Sequence, residues 1–444
     1  IPGLQPQYRG RKLLDQPDLL HEIHTPQPRA NMRLYNSLTR EIETFSSQGE
    51  TVDIYVCGIT PYDATHLGHA FTYAMLDVIV RYLEFRGERV RYVQNVTDVD
   101  DDILRKAKEV DQDWRDLGDS WIARFIGDMI ELNVRPPDFF PRATDVISEI
   151  TAVVEDLLKK GIAYESHGNV YFNIDAWPEY GRLSGLSRDE MLPIANERGN
   201  NPDDVNKREP LDFVLWQAEA EGEPSWESPW GMGRPGWHIE CSTMAVRFLD
   251  VPIDIHSGGL DLVFPHHESE IAQAEGATGE APFVRYWVHT AMVRHEGEKM
   301  SKSLGNLVMI EDLLGDWTPD ALRVYLASHH YRHGWAHSDD ELERAARIAD
   351  RLRSAAVAGG GNAAPPSVSE FKAAFVNALD ADLDTPRALN HLEELAQVIL
   401  DAGERGHKIS DAQESLRSLG RVLGLRLDAR QPERRVIDGW LKYM

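Results

Sequence analysis

Between residues 52 and 96 the chain spells a strand, a helix and a second strand with little between them. Residues 52–57 read as a buried strand that runs into Cys57-Gly58, and a turn holding Pro61 follows. From about His66 to Arg86, Leu67, Tyr73, Ala74, Leu76, Ile79 and Leu83 recur at helical spacing, and Gly87 ends the pattern. The second strand is Val90–Val96. A strand–helix–strand unit of this kind is the first half of a doubly wound parallel α/β sheet, and a ligand is expected at the carboxyl ends of its strands.

The rest of the chain is read around that unit. Residues 1–31 are polar, contain proline and are expected to be irregular; a strand-like Arg33-Leu34-Tyr35-Asn36 follows Met32. Residues 32–330 are expected to form the Rossmann-like domain, with an insertion over about 140–215 that holds a helix at Ile147–Lys160 and short strands near Tyr164 and Val170–Phe172. The second half of the sheet is expected to resume near Phe213 and to include Asp254-Ile255-His256 at a strand end. Residues 331–444 are expected to be an all-α bundle. Within it, Ala355–Val368 reads as a loop, and Thr385-Pro386 as a helix start with Thr385 as its cap.

Two segments carry the chemistry. His66 and His69 open the first helix around Gly68, and Lys299-Met300-Ser301-Lys302-Ser303 lies far downstream. Imidazoles at a helix N-terminus donate to phosphate oxygens, and the helix end adds partial positive charge. Gly68 lets a nucleotide approach the backbone closely. Lysines on a loop of small residues close over a departing pyrophosphate. An incidental surface pair or a solvated charge cluster explains either segment alone, but not both in this order. Together they resemble the ATP-binding signatures of class I aminoacyl-tRNA synthetases. The resemblance implies His66, His69, Lys299 and Lys302 as catalytic residues for attack of a carboxylate on the α-phosphate of ATP, with Mg(2+) accompanying the nucleotide. All four being present argues against a non-catalytic binding paralogue.

Only two cysteines occur, Cys57 and Cys241, so a disulfide framework is excluded, and metal ligation or simple burial stays open. His266 and Glu270 are four apart and share a face if their segment is helical. Thiolate, imidazole and carboxylate suit a tetrahedral metal, but the scattered spacing alone does not decide it. Further segments add a narrower resemblance: Tyr55-Val56-Cys57-Gly58, Asn95-Val96-Thr97-Asp98, Gly236-Trp237-His238-Ile239-Glu240-Cys241, Gly258-Gly259-Leu260-Asp261 and Phe264-Pro265-His266-His267-Glu268. Over residues 33–330 the chain resembles cysteinyl-tRNA synthetase and, equally, its relative the mycothiol ligase. That family implies Zn(2+) on Cys57, Cys241, His266 and Glu270. It implies L-cysteine bound by Gly58, Thr60, Thr97 and Trp237, and ATP held by Gly258, Gly259 and Asp261 with His66, His69 and Lys302. Zinc makes physical sense there, because a thiolate binds it far better than the nearly isosteric hydroxyl of serine.

The acceptor is the open question, with tRNA(Cys) in the lead and the amino group of glucosaminyl-inositol as the alternative. Glu270, Ile255-His256 and Ser303-Leu304-Gly305-Asn306 resemble the tRNA ligase. Ile59–His69, Gln94, Glu197–Asp203 and a chain that stops soon after the helical bundle resemble the sugar ligase. Ser257 departs from both. The net charge of −26 opposes a polyanionic partner unless a local basic patch outweighs it. Arg417, Arg421, Arg426, Arg430, Arg434, Arg435 and Lys442 are the candidate patch, and a solvated helix face explains them as well. No apolar run has membrane-spanning length, and a cytoplasmic monomer without a membrane partner is expected.

Overall fold

The computed structural model describes residues 32–295, 297–300, 305–427 and 434–444, without the side chain of Lys299. The expectations for residues 1–31, for Lys302 and for Arg430 lie outside the described residues. A hairpin of β1 (Arg33–Asn36) and β2 (Glu41–Thr44) leads into the central sheet. That sheet holds β3 (Thr51–Ile59), β4 (Arg89–Val96), β9 (Ile253–Gly259) and β10 (Val284–Thr290). All pairs are parallel, in the order β10-β9-β3-β4. The order reverses between β3 and β9, so the crevice at their carboxyl ends is the binding position of a doubly wound sheet.

Alternation along β3 assigns its side chains to two cores. Ile54 and Val56 pack with α1 (Leu67–Phe85), whereas Tyr55 and Cys57 pack with α6 (Trp237–Phe248). A strand buried on both faces loses the polar–apolar alternation of a half-exposed one and reads as a continuous apolar run. Helix α1 starts and stops as its sequence predicts, with His66 as N-cap and Arg86 as C-cap. Two helices follow β4, α2 (Asp101–Glu109) and α3 (Trp114–Glu131). α7 (Glu268–Thr278) links β9 to β10.

The insertion begins with α4 (Ile147–Lys159) and forms an antiparallel sheet of β5 (Ala163–Ser166), β6 (Asn169–Phe172), β7 (Phe213–Ala218) and β8 (Gly233–Pro235), with α5 (Arg188–Glu197) between β6 and β7. The parallel sheet therefore does not resume near Phe213. β7 pairs antiparallel with β6 and β8, and the parallel sheet resumes at Ile253. The apolar run Phe213-Val214-Leu215-Trp216 has the composition of a buried parallel strand, and only its pairing register reveals otherwise.

Beyond the sheet come α8 (Ile310–Asp316), α9 (Pro319–Ala327), α10 (Asp339–Val357), α11 (Ser369–Asp380), α12 (Thr385–Glu404), α13 (Ser410–Val422) and α14 (Arg434–Leu441). α10 runs to Val357, so the loop expected from Ala355 begins three residues later. Asp384, not Thr385, caps α12: its side chain accepts from the Arg387 N–H, while the Thr385 hydroxyl donates to the His329 carbonyl. The bundle is joined to α1 by a buried charge group. Asp77 accepts from Arg81 at 2.9 Å and from Arg323 of α9 at 2.6 Å, and Arg323 also donates to the Leu423 carbonyl.

Among the described residues, the C-terminal basic side chains are in part engaged within the protein. Arg426 is buried and donates to the Ile130 and Glu131 carbonyls. Arg417 reaches the Ala356 carbonyl, Arg421 faces Glu414, Arg434 pairs with Asp438, and Lys442 lies over the Tyr443 ring. Among the described residues, no helix is long and apolar enough to cross a membrane.

Candidate active site

A cleft of about 1080 Å³ opens at the carboxyl ends of β3 and β9. At its base, Cys57 from β3, Cys241 from α6, and His266 and Glu270 around the start of α7 bring their ligand atoms within 4.8 Å of one another, all buried. Glu270 Oε1 lies 3.1 Å from His266 Nε2 and 3.4 Å from Cys57 Sγ. Tetrahedral sites with bonds of about 2.0–2.3 Å separate their ligands by about 3.3–3.8 Å, so this group fits such an ion with small adjustment. Burial pushes the Cys57 thiol well above its ordinary range, and Cys241 and Glu270 add to that. A buried cation among them reverses the balance and favours thiolate. Burial holds His266 neutral, with its pKa lowered to about 3, which is the protonation state a ligand needs.

Behind these four lies a layer of imidazoles that their separate sequence positions hide. His256 Nε2 sits 2.9 Å from Glu270 Oε2, and His238 Nδ1 sits 2.9 Å from His266 Nδ1. His267 Nε2 is 3.3 Å from Cys57 Sγ, and His289 lies behind it at 2.8 Å. Such partners fix the orientation of the residues in front of them. Cys57, His256, His267 and Glu270 form a second overlapping quartet. Cys57, Cys241 and His266 line the cleft, whereas Glu270, His256 and His267 lie behind it, so the first quartet presents three of its members to an incoming molecule and the second only Cys57. The His266-His267 doublet was the one sequence sign of this layer.

Trp237, first residue of α6, stacks on His266 with centroids 4.4 Å apart and forms the wall above the quartet. Gly58 has no room for a side chain, since a Cβ there would overlap the Asn95 carbonyl oxygen. Its N–H donates to Asn95 Oδ1 at 2.8 Å, and Asn95 Nδ2 donates to Thr97 Oγ1 at 3.3 Å, so one chain of bonds sets Gly58 and Thr97 in the cleft wall near Thr60.

At the mouth, His66 Nδ1 accepts the N–H groups of Gly68 and His69 at 3.1 and 3.4 Å. With Nδ1 an acceptor, the neutral ring carries its proton on Nε2. The two rings stack at 3.8 Å. Gly68 matters in a way its sequence position did not suggest: a Cβ would lie 3.0 Å from the His66 ring, so the glycine makes room for the capping imidazole. Met300 is buried beside it and joins the lining. Gly258 and Gly259 end β9, and Asp261 follows in a short turn (Leu260–Leu262) on the cleft wall.

Residues 44–347 match the family model for the tRNA synthetases class I (C) catalytic domain, and residues 374–428 match the DALR domain. The L-cysteine:1D-myo-inositol 2-amino-2-deoxy-alpha-D-glucopyranoside ligase of Thermomonospora curvata is 45% identical over 388 residues, covering 87% of this chain and 92% of its own. A cysteine--tRNA ligase of Dehalococcoides mccartyi is 42% identical over 406 residues, covering 90% and 88%. That of Methylococcus capsulatus is 45% identical over 411 residues, covering 89% and 85%. Among solved structures, Mycobacterium tuberculosis methionyl-tRNA synthetase with methionyl-adenylate superposes with a TM-score of 0.59 at 16% identity over 84% of this chain and 90% of that one, a likeness of fold.

Proposed function

The chain belongs to the class I (C) tRNA synthetase family and is an ATP-dependent cysteine ligase, and we propose that it passes the activated cysteine to tRNA(Cys). The observation that carries the cysteine reading is the buried Cys57–Cys241–His266–Glu270 quartet beneath Trp237, in one cleft with His66 and His69. These four would hold Zn(2+), which when bound supplies a thiophilic contact that selects a thiol over a hydroxyl. Trp237 and Thr97 shape the side-chain pocket, and Gly58 and Thr60 line the path of the amino acid's backbone. The cysteine carboxylate attacks the α-phosphate of ATP, forming a mixed anhydride and releasing pyrophosphate. His66 donates through Nε2–H and, with His69 and the N-terminus of α1, meets the charge that builds on the phosphate oxygens. Asp261 receives the ribose hydroxyls beside Gly258 and Gly259. Lys299 and Lys302 neutralise the leaving pyrophosphate; Mg(2+) would accompany the nucleotide. An acceptor nucleophile then attacks the carbonyl carbon and AMP leaves.

Glu270 as fourth ligand supports the tRNA reading, because the sugar-ligase pattern differs there. A second acceptor, the amino group of glucosaminyl-inositol, is favoured by the internal engagement of Arg417 and Arg426 and by the Gln217 amide on the insertion side of the cleft, a side chain suited to sugar hydroxyls. The test offers both acceptors to the zinc-loaded protein with labelled cysteine and ATP. Label in tRNA is expected; label only in the amino sugar establishes the second acceptor. Pyrophosphate exchange into ATP must require L-cysteine, and Lys302→Ala is expected to slow it ~10²-fold, the scale of losing one preorganised charge contact. Unchanged exchange in that variant removes the lysine from the mechanism.

A further inference from the structure

The insertion reaches into the nucleotide end of the cleft through one side chain. Arg198 follows α5 as its C-cap, and Gly199 after it has φ of +91°, a conformation that turns the chain sharply there. Arg198 Nη1 lies 3.3 Å from Asp261 Oδ2. The other carboxylate oxygen lies over Gly259, where a Cβ would come within 2.5 Å of Oδ1, so only glycine leaves room for it. The guanidinium and the carboxylate are each about a third exposed, and both line the cleft with His66 and Trp237. α5 packs against the Val263–His267 turn that carries His266. The root of the insertion is pinned separately: Glu268 accepts the backbone N–H of Ser184 at 2.8 Å, and Arg182 pairs with Glu275. Beyond Arg198 the loop is tied to itself, with Lys207 Nζ donating to Asn200 Oδ1 and Asn200 donating to the Pro210 carbonyl.

We propose that Arg198 is a positioning residue for the nucleotide, holding the Asp261 carboxylate in place for the ribose hydroxyls and clasping the insertion onto bound ATP. The inference rests on the reading of Asp261 as the ribose acceptor. A carboxylate oxygen with two lone pairs accepts from a guanidinium and a hydroxyl together, so ribose binding need not break the pair. The guanidinium also offsets the repulsion between Asp261 and the triphosphate. Without Arg198, the Asp261 carboxylate loses the cation that faces it.

The test measures ATP, 2′-deoxy-ATP, 3′-deoxy-ATP and L-cysteine binding by calorimetry in wild type, Arg198→Ala and Arg198→Lys. Arg198→Ala is expected to weaken ATP by about three- to tenfold, the range of a charge-assisted contact at a partly exposed site. L-Cysteine binding is expected to stay the same, and Arg198→Lys to recover part of the loss. The penalty for a missing ribose hydroxyl is expected to be smaller in Arg198→Ala than in wild type, because both changes act through Asp261. Equal ATP affinity in wild type and Arg198→Ala, an unchanged deoxy penalty, or equal weakening of ATP and cysteine overturns the inference. Absence of cysteine-dependent pyrophosphate exchange in wild type instead overturns the activity reading, and the binding comparison still decides the role of Arg198.

Discussion

Single atoms decide much of this site. Cys241→Ser is expected to lose the metal and affinity for L-cysteine together; metal analysis retaining one equivalent would show the quartet to be wrong. Gly58→Ala is expected to be far more damaging than its size suggests. The added carbon meets the Asn95 carbonyl, so either β3 and β4 separate or the Gly58–Asn95–Thr97 chain breaks. A loss of about 1–3 kcal/mol in denaturant unfolding, the range of overpacked core positions, is the expected result. Much at this scale was legible in the sequence. His66 and His69 were marked by their motif, whereas the quartet and Trp237 were implied only by the family resemblance, because their scattered spacing does not decide a shared site. The layer of His238, His256, His267 and His289 was not legible, because its residues share no spacing and meet only after β9, β10 and the turn before α7 are assembled. The Glu197–Asp203 segment stood out as a resemblance, but the role of Arg198 was hidden for the same reason: its partner is on another element.

At the scale of elements, the strand–helix–strand unit was readable because its periodicities are long and its ends are marked by His66 and Gly87. β7 was misread because a short apolar run does not announce its neighbours. The cap of α12 was misread because Asp384 and Thr385 are both capping types, and only the bond to the Arg387 N–H tells them apart. The Asp77–Arg81–Arg323 group joins elements that no local pattern links. Burial pushes the Asp77 carboxyl up, but Arg81 and Arg323 outweigh it and hold it below the ordinary carboxylate range. A folded-state pKa below the unfolded one means a contribution present above the unfolded pKa of about 4 and lost as pH falls through the folded value. Asp77→Asn is expected to cost about 3–5 kcal/mol at neutral pH, because it leaves two guanidinium groups without their buried counter-charge. The difference from wild type should narrow as unfolding is followed into acid. A constant difference down to pH 2 would show that the pair does not carry it.

At the scale of the molecule, the apolar framework of two cores encloses a candidate metal quartet drawn from both halves of the sheet. Chelation is therefore expected to loosen the whole catalytic domain. Metal at 100 times its dissociation constant adds about 2.7 kcal/mol to the folded state, so a thermal melt should rise with added zinc and fall with chelator. A melt that ignores both would mean that no metal is held there.

The separation of these ligands along the chain also sets an order of events during synthesis. Cys57 is made early, but Glu270 leaves the ribosome more than two hundred residues later. Before residues 241–270 are made, β3 and β4 have no β9 to pair with, and Cys57 lacks Cys241, His266 and Glu270. The quartet is complete only when β9 and α7 have joined β3, so a polypeptide arrested before that point is expected to hold no metal there, however well its first half has folded.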